Sequence, residues 1–443
     1  MNNLDLEKRK IFSFDRNFSA NIFYKQPDKY REIENLSKTN ENLISSGSSL
    51  SYSPLAFGKN ILTINLKKFN RIIDFDLKNK QITVEAGITL AELLTFTLKH
   101  NLWFPQLPGY PFITLGGALA TNAHGKSCGS SGTIRNSVKE IKMFHNQNGW
   151  LNLSKDENKE IFDLTIGGLG LTGTIINITL KLETLQNKNF LTTKNRVSSI
   201  KECIDKIKSA SETENTFVYS WNIGNNLSEL GKGFVFQNVI DERATKDDEF
   251  ILAKKYEFFK PSISLWNKSS INLINNIFYN FNKFSHSKSK EKFTKVIFPF
   301  YGKENYFNFF GKKGLLESQL LISEKNIYSF FDEFKYLHKN INPSIALFSF
   351  KNMKGDLKFL RFEGDKVCVT FDYPNNKTNL LFMKEVDKLC IKYEIQPSII
   401  KDSRLDRDTV QSCYSDYEKF KKQLYNFDKK RTYKSETSQR LAI

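Results

Sequence analysis

The sequence predicts an α+β protein of two domains, and three observations carry that expectation. Strand-like runs, a capped helix and glycine-rich loops fill roughly the first 180 residues of a 443-residue chain, a common size for one domain. Further strand-like runs recur from Val296 to Phe371 with a helical stretch between them, the pattern of an antiparallel sheet covered by helices. Between the two lies a Lys-, Asn- and Phe-rich stretch, 241–295, of different texture.

In chain order, Ile61–Leu66 and Gln81–Val84 read as short strands. Thr89, with Glu92 three residues on, reads as a capping box that opens a helix, because each side chain can accept from the other residue's amide. Leu107–Gly132 is dense in Gly, Ala, Ser and Thr, with Pro105, Pro108 and Pro111 in or just before it, and reads as a packed loop. Lys155–Leu164 reads as a polar helix, and Thr174–Leu182 alternates as a strand. Beyond Lys188, Ile200–Ser211 is predicted helical, and Phe217–Trp221 and Gly233–Asn238 as strands. Asp241–Lys295 has few turn signals and weak periodicity; it reads as an irregular insertion or mobile surface segment. Strands follow at Leu315–Ile322, Ile345–Phe350 and Lys366–Phe371, with a helix over Glu324–His338. Val410, Cys413, Tyr417, Phe420, Leu424 and Phe427 keep helical spacing and predict one C-terminal helix. The expected domains are 1–185, 186–397 and a 398–443 segment that returns to the first.

Apolar residues at 40% and aromatics at 14% exclude intrinsic disorder. The 66 basic against 48 acidic residues leave +18, a balance that suits nucleic acid, an anionic membrane or a phosphorylated ligand. Yet 54 of the 66 are Lys, which lacks the planar fork of Arg, so much of the surplus can be compositional. No RNA-recognition, zinc-finger or helix-turn-helix motif occurs, and no nucleic-acid partner is expected. Five dispersed cysteines form no C-x-x-C pair, and no His stands at zinc-ligand spacing; a reduced compartment and no metal follow. The charged run Asp5–Lys10 and the lack of any apolar run of about 18 residues predict a cytoplasmic protein without signal peptide or transmembrane helix, soluble or peripheral at a membrane.

Gly168-Leu169-Gly170-Leu171-Thr172-Gly173 is a literal G-x-G-x-x-G, but a predicted helix precedes it and a strand follows, the reverse of the order that brings a helix N-terminus to a pyrophosphate. Those glycines are expected to let a tight loop pass close to another backbone or a ligand. Two other loops are more informative. Ser45-Ser46-Gly47-Ser48-Ser49-Leu50-Ser51-Tyr52-Ser53 offers consecutive amides and hydroxyls with little side-chain bulk, as an anion-binding nest requires. Thr114-Leu115-Gly116-Gly117-Ala118-Leu119-Ala120-Thr121-Asn122-Ala123-His124-Gly125 repeats the property, so that the pair could clasp a diphosphate cofactor from both sides; turns chosen for packing are the alternative.

With Val84-Glu85-Ala86-Gly87, Leu107-Pro108-Gly109 and Gly167–Gly173, these runs stand in the order of the vanillyl-alcohol oxidase (PCMH-type) FAD-binding domain, which the chain resembles. Within that superfamily it resembles the decaprenylphosphoryl-ribose 2-oxidases over nearly its whole length, with Tyr219-Ser220-Trp221, Val367-Cys368-Val369, Lys401-Asp402-Ser403-Arg404 and Arg440-Leu441 at matching places. The resemblance implies a two-part FAD-binding domain and a substrate domain. It implies an FAD diphosphate wrapped by Ser45–Leu55, with Gly109, Thr114–Gly117, Thr121–His124 and Ser398 on the other side and Ile175 near the adenine. Many relatives attach FAD through a His in the first loop; Leu50 stands there, so the flavin is expected to be noncovalent.

The resemblance also implies oxidation of a sugar's secondary hydroxyl by hydride transfer to the flavin, on the 2-hydroxyl of a polyprenyl-phosphoryl ribose. Electrons would pass to a quinone or oxygen, and a nicotinamide-dependent short-chain reductase would complete the epimerisation. Such chemistry needs a group that takes or polarises the hydroxyl proton, for which Lys401 is the candidate, with Tyr52 beside it. Lys126, Trp221, Gln319, Lys351, Lys366 and Cys368 are implied around the substrate; without the resemblance, Lys401 would read as a surface residue before a helix cap and Cys368 as a core residue. Three positions depart from the family: Glu317 replaces a Gln, Lys366 an Asn and Ile297 a Tyr. They alter the polar lining, so a soluble polyol or aldonolactone is the alternative substrate.

Overall fold

The computed structural model describes residues 6–213, 216–242, 252 and 264–443. Among the described residues the first unit holds a two-stranded sheet, Leu102–Trp103 with Glu183–Thr184, and two larger ones. One runs in the order Glu7–Phe12, Ser19–Lys25, Leu62–Asn65, Leu43–Ser46; its first pair is antiparallel and the others parallel. The other is antiparallel throughout: Ile72–Asp76, Gln81–Glu85, Thr174–Lys181, Val138–His145, Gly149–Ser154. The capping box at Thr89 is formed and opens the Leu90–Thr97 helix, whose apolar residues join the core over the second sheet. The packed loop contains one short helix, Leu115–Ala120, where Thr114 caps a small-residue run that can lie flat against Ala86.

The second unit holds two four-stranded antiparallel sheets, ordered Phe217–Asn222, Gly233–Ile240, Asn189–Val197, Lys288–Lys292 and Leu347–Met353, Lys366–Pro374, Leu315–Ile322, Gln396–Pro397. Ser220 joins them: its carbonyl accepts from Ser349 Oγ at 2.6 Å, and its Oγ accepts from the Phe350 amide at 2.8 Å. Helices Ile200–Ser211, Glu324–Ile341 and Lys377–Lys392 cover one face. Ile327, Phe330, Phe331, Phe334 and His338 recur at helical spacing on the inward side of the second helix, and Phe334 and Phe348 stack on Phe371 at 4.9 and 4.7 Å.

Two expectations are corrected. Of the 241–295 stretch, residues 243–263 apart from Leu252 lie outside the described residues, but the rest is regular: a helix at Lys268–Phe284, a strand at Lys288–Lys292 and a short helix at Phe293–Ile297. Asn267 accepts from the Ser269 and Ser270 amides and supplies the start signal, which the surrounding Asn and Lys disguise. The single C-terminal helix is instead Arg407–Cys413 and Tyr417–Phe427, followed by Glu436–Arg440. Apolar spacing runs in phase across the break because both helices face the same core.

The C-terminal segment packs back on the first unit. Ser53 donates through Oγ to the Ile399 carbonyl at 2.6 Å and through its amide to that of Ile400 at 3.1 Å; Tyr433 bridges Leu43, and Ser403 donates to Asp15. That return puts residues 398–401 against both units.

Candidate active site

Strand alternation in the second unit decides what faces the first. Along Lys366–Pro374, Val367, Val369, Phe371 and Tyr373 enter the helix-covered core, so Thr370 and Asp372 face the other way; Glu317 and Gln319, and Ser349 and Lys351, alternate with core residues likewise. These side chains, with Tyr219 and Trp221, form one wall of a cavity of about 1300 Å³, whose opposite wall is the first unit.

The first loop lines that opposite wall from Ser45 to Tyr52. The amides of Ser48, Ser49, Leu50 and Ser51 have no acceptor among the described residues, and Ser51 Oγ is buried without a partner. Gly47 is obligatory: a Cβ there would lie 2.0 Å from Thr114 Oγ1, so the two small-residue loops touch only because Gly47 has no side chain. The second loop differs from the first. The Leu115 and Gly116 amides donate to Ile88 and Ala86 at 2.8 Å each, and the Gly117 amide to Thr114 Oγ1, so this loop contributes a close, bare surface rather than free donors. Gly109, Thr114, Gly116, Gly117, Thr121, Ala123, His124, Ile175 and Ser398 line the cavity.

Three expected cofactor residues do not. Leu115 is swallowed by the core, Ser53 is committed to residues 399–400, and Asn122 is buried, donating to Glu363 at 2.8 Å. These three support the loops from behind. The glycines of the G-x-G-x-x-G run precede the Thr174–Lys181 strand, and Gly173, at φ 142°, passes where a Cβ would strike Met143.

At the far end sits a polar cluster. Lys401 Nζ lies 3.4 Å from Glu317 Oε1 and 3.8 Å above the Tyr52 ring, two contacts that suit an ammonium group. Glu317 and Asp372 are cross-strand partners. Burial, and then the Glu317 charge, push the Asp372 carboxyl well above the usual carboxylate range; Tyr306 donates to it at 2.7 Å. Burial and both carboxylates push the Tyr52 phenol up as well. His124, stacked on Phe362, is held well below the usual imidazole range by burial and then by Lys351 and Lys401, and its Nδ1 has no partner. Burial, Lys351 and Lys303 pull Lys126 down in the same way; its Nζ donates to the Val296 carbonyl at 2.6 Å and lies over Tyr219.

Lys126, Trp221, Gln319, Lys351, Tyr52 and Lys401 are therefore brought together, whereas Lys366 and Cys368 are not in the lining. Lys366 turns to Gln396, and Cys368 is packed among Cys128, Leu321, Met353 and Phe362, its thiol pushed up to about 12 by burial. Both share the face of Thr370 and Asp372 but stand beyond the cavity's end. Sequence reasoning missed Asp372, Tyr306 and Glu317 as one cluster: Glu317 was visible only as a departure, and Asp372 and Tyr306 carry no motif.

Residues 30–154 match the family described as FAD binding domain. The chain is 25% identical to decaprenylphosphoryl-beta-D-ribose oxidase of Mycolicibacterium smegmatis over 431 aligned residues, covering 90% of this chain and 89% of that one. It is 29% identical to L-gulonolactone oxidase of Bos taurus over 36% of this chain and 35% of the relative, and 31% identical to D-lactate dehydrogenase of Anaerostipes hadrus over 27% and 26%. The residues fit the flavin dinucleotide: unpaired amides and hydroxyls in the first loop for its diphosphate, a bare second loop, and a cavity long enough to reach the polar cluster. The chain carries an FAD-binding domain, and FAD is its cofactor. It is an FAD-dependent oxidoreductase acting on CH–OH groups, similar to sugar and hydroxy-acid oxidases and dehydrogenases.

Proposed function

We propose that the chain oxidises the 2-hydroxyl of a polyprenyl-phosphoryl ribose, the first half of an epimerisation. One observation carries the reading: the first loop has no Lys or Arg, while Lys303, Lys351 and Lys401 collect at the substrate end of a cavity flanked by the packed rings of Trp221 and Phe278. Cations for a phosphate and an apolar exit for a chain are thereby paired. Similarity over 90% of the chain to an oxidase of a decaprenylphosphoryl ribose supports the same choice.

FAD held by the two loops would supply the two-electron acceptor for the hydride that leaves the carbon becoming the carbonyl. The protein supplies the rest. Lys401 binds the hydroxyl oxygen and stabilises the charge that develops there; the Glu317–Asp372 pair accepts the hydroxyl proton, with Tyr306 holding Asp372 in place. Neutral His124 orders the site as a hydrogen-bonding group. With Leu50 at the family's attachment point, the flavin is held noncovalently and is released when the protein is denatured with acid. A quinone or oxygen would serve as the final electron acceptor, and a nicotinamide-dependent short-chain reductase would reduce the keto product.

Glu317 favours a second reading, a soluble polyol or aldonolactone, since a carboxylate in place of a Gln suits an uncharged polyhydroxylated substrate. Anaerobic mixing separates the two. Bleaching of flavin absorbance by a prenyl-phosphoryl pentose is expected; bleaching by polyols or aldonolactones alone would replace the first reading with the second.

A further inference from the structure

The Lys268–Phe284 helix is amphipathic the wrong way round. Its inward side carries Ile271 but also Asn275, Tyr279 and Asn282, all buried. Its outward side carries Leu273, Ile277, Phe281 and Phe284, exposed by 61, 60, 71 and 79%, with Ile274 and Phe278 beside them. Water does not select such an arrangement, because the apolar stripe of a surface helix normally faces the core. An apolar environment outside the protein does.

Two observations say which environment. First, the stripe passes into the cavity mouth: Ile274, Phe278, Phe281 and Phe284 also line the cavity, and Phe278 packs on Trp221 at 4.4 Å between ring centroids. The apolar surface is thus continuous from outside to the substrate end. Second, the chain leaving the stripe is basic: Lys283 closes the helix, and Lys288 and Lys290 stand exposed on the next strand, Lys290 beside Asp241. Aromatic and aliphatic residues rimmed by lysines match an anionic lipid surface, which receives the first in its acyl boundary and the second at its headgroups.

We propose that this helix docks the protein on an anionic membrane with the cavity mouth facing the bilayer, so that a lipid-linked substrate enters without crossing water. The proposal deepens the lipid-linked reading and takes its point from it, but the test is independent of turnover. Flavin-loaded protein is sedimented with phosphatidylglycerol vesicles and, separately, with phosphatidylcholine vesicles. Binding to the first, weakened by salt and weaker on the second, is expected. Leu273→Gln with Ile277→Gln, outside the cavity lining, is expected to weaken vesicle binding at least tenfold while circular dichroism and bound-flavin absorbance stay as in the parent. Lys283→Glu with Lys288→Glu is expected to abolish the preference for anionic lipid. Equal binding by parent and Leu273/Ile277 variant, or none by the parent, overturns the proposal. So does a dimer in sedimentation velocity that the same variant dissociates, since a second copy would then cover the face. Failure here leaves the proposed reaction standing; docking without bleaching by a prenyl-phosphoryl pentose removes the reaction alone.

Discussion

At the scale of single residues, the Glu317–Asp372 pair sets the acid–base behaviour of the site. The two carboxyls lie on neighbouring strands away from water, so burial and then the Glu317 charge make that of Asp372 harder to form. Glu317→Gln removes one charge and the Lys401 ion pair while keeping the shape. The rise of flavin-reduction rate with pH is therefore expected to begin at lower pH in the variant, because Asp372 then ionises against burial alone. A limb that stays put or moves up, in anaerobic rapid mixing across pH, would remove Asp372 from the proton path. Stability follows the same sign: an acid raised in the fold above its unfolded value of about 3.9 stabilises below that value and loses its contribution as pH climbs through the folded one. Glu317→Gln should narrow that loss.

At the scale of elements, loop contact matters most. Gly47→Ala would force the first loop off Thr114, since the added carbon cannot lie 2.0 Å from a hydroxyl. Protein purified with the substitution is expected to hold less flavin, read as a lower flavin-to-protein absorbance ratio, with the strands on either side intact by circular dichroism. Element by element, legibility followed locality. Ile200–Ser211 and Leu315–Ile322 form where the sequence placed them, the helix because one apolar face must be buried wherever it packs, the strand because its short apolar run is buried along its whole length. The Lys268–Phe284 helix was missed because Asn residues interleave with its apolar ones and the surrounding Asn and Lys disguise the Asn267 start signal. The hairpin of Glu7–Phe12 with Ser19–Lys25 was missed as well, its first strand being almost wholly exposed and charged. Lys377–Lys392, which carries an Asn376 cap and a buried apolar stripe, could have been found.

At the scale of the whole molecule, the units are held together by buried charge as well as by the C-terminal return. Asp163, on the Lys159–Thr165 helix, accepts from Arg135 at 2.7 Å and from Lys358 at 2.6 Å, and lies 3.8 Å from the buried Arg361. Against the effect of burial, Lys358 and Arg135 hold its carboxyl below the usual range. Asp163→Leu leaves Arg361 its carbonyl acceptors at Ile166 and residue 163 but removes the carboxylate that balances Arg135, Lys358 and Arg361, and is expected to cost about 3 kcal/mol, the low end for a broken buried pair because Lys358 is one-third exposed. A fall in the urea midpoint measures it; an unchanged midpoint would show that the units are held by other contacts. No helix among the described residues is long and apolar enough to cross a membrane, which leaves surface docking as the form of membrane contact that the Lys268–Phe284 face can make.

The α+β class and the two small-residue loops are legible in the chain alone, because they depend on spacing and bulk within short runs; the FAD-binding character is legible through the resemblance that those runs carry. The sequence also made visible that the first loop has no basic residue, so that the +18 surplus lies elsewhere. Folding in three dimensions was needed to show that Tyr52, Glu317, Asp372 and Lys401 form one cluster, that Lys366 and Cys368 stand outside it, and that the Leu115, Gly116 and Gly117 amides of the second loop are already bonded. Those facts depend on strand register and on the return of the C-terminal segment, which join residues more than 300 positions apart through contacts with no local signature.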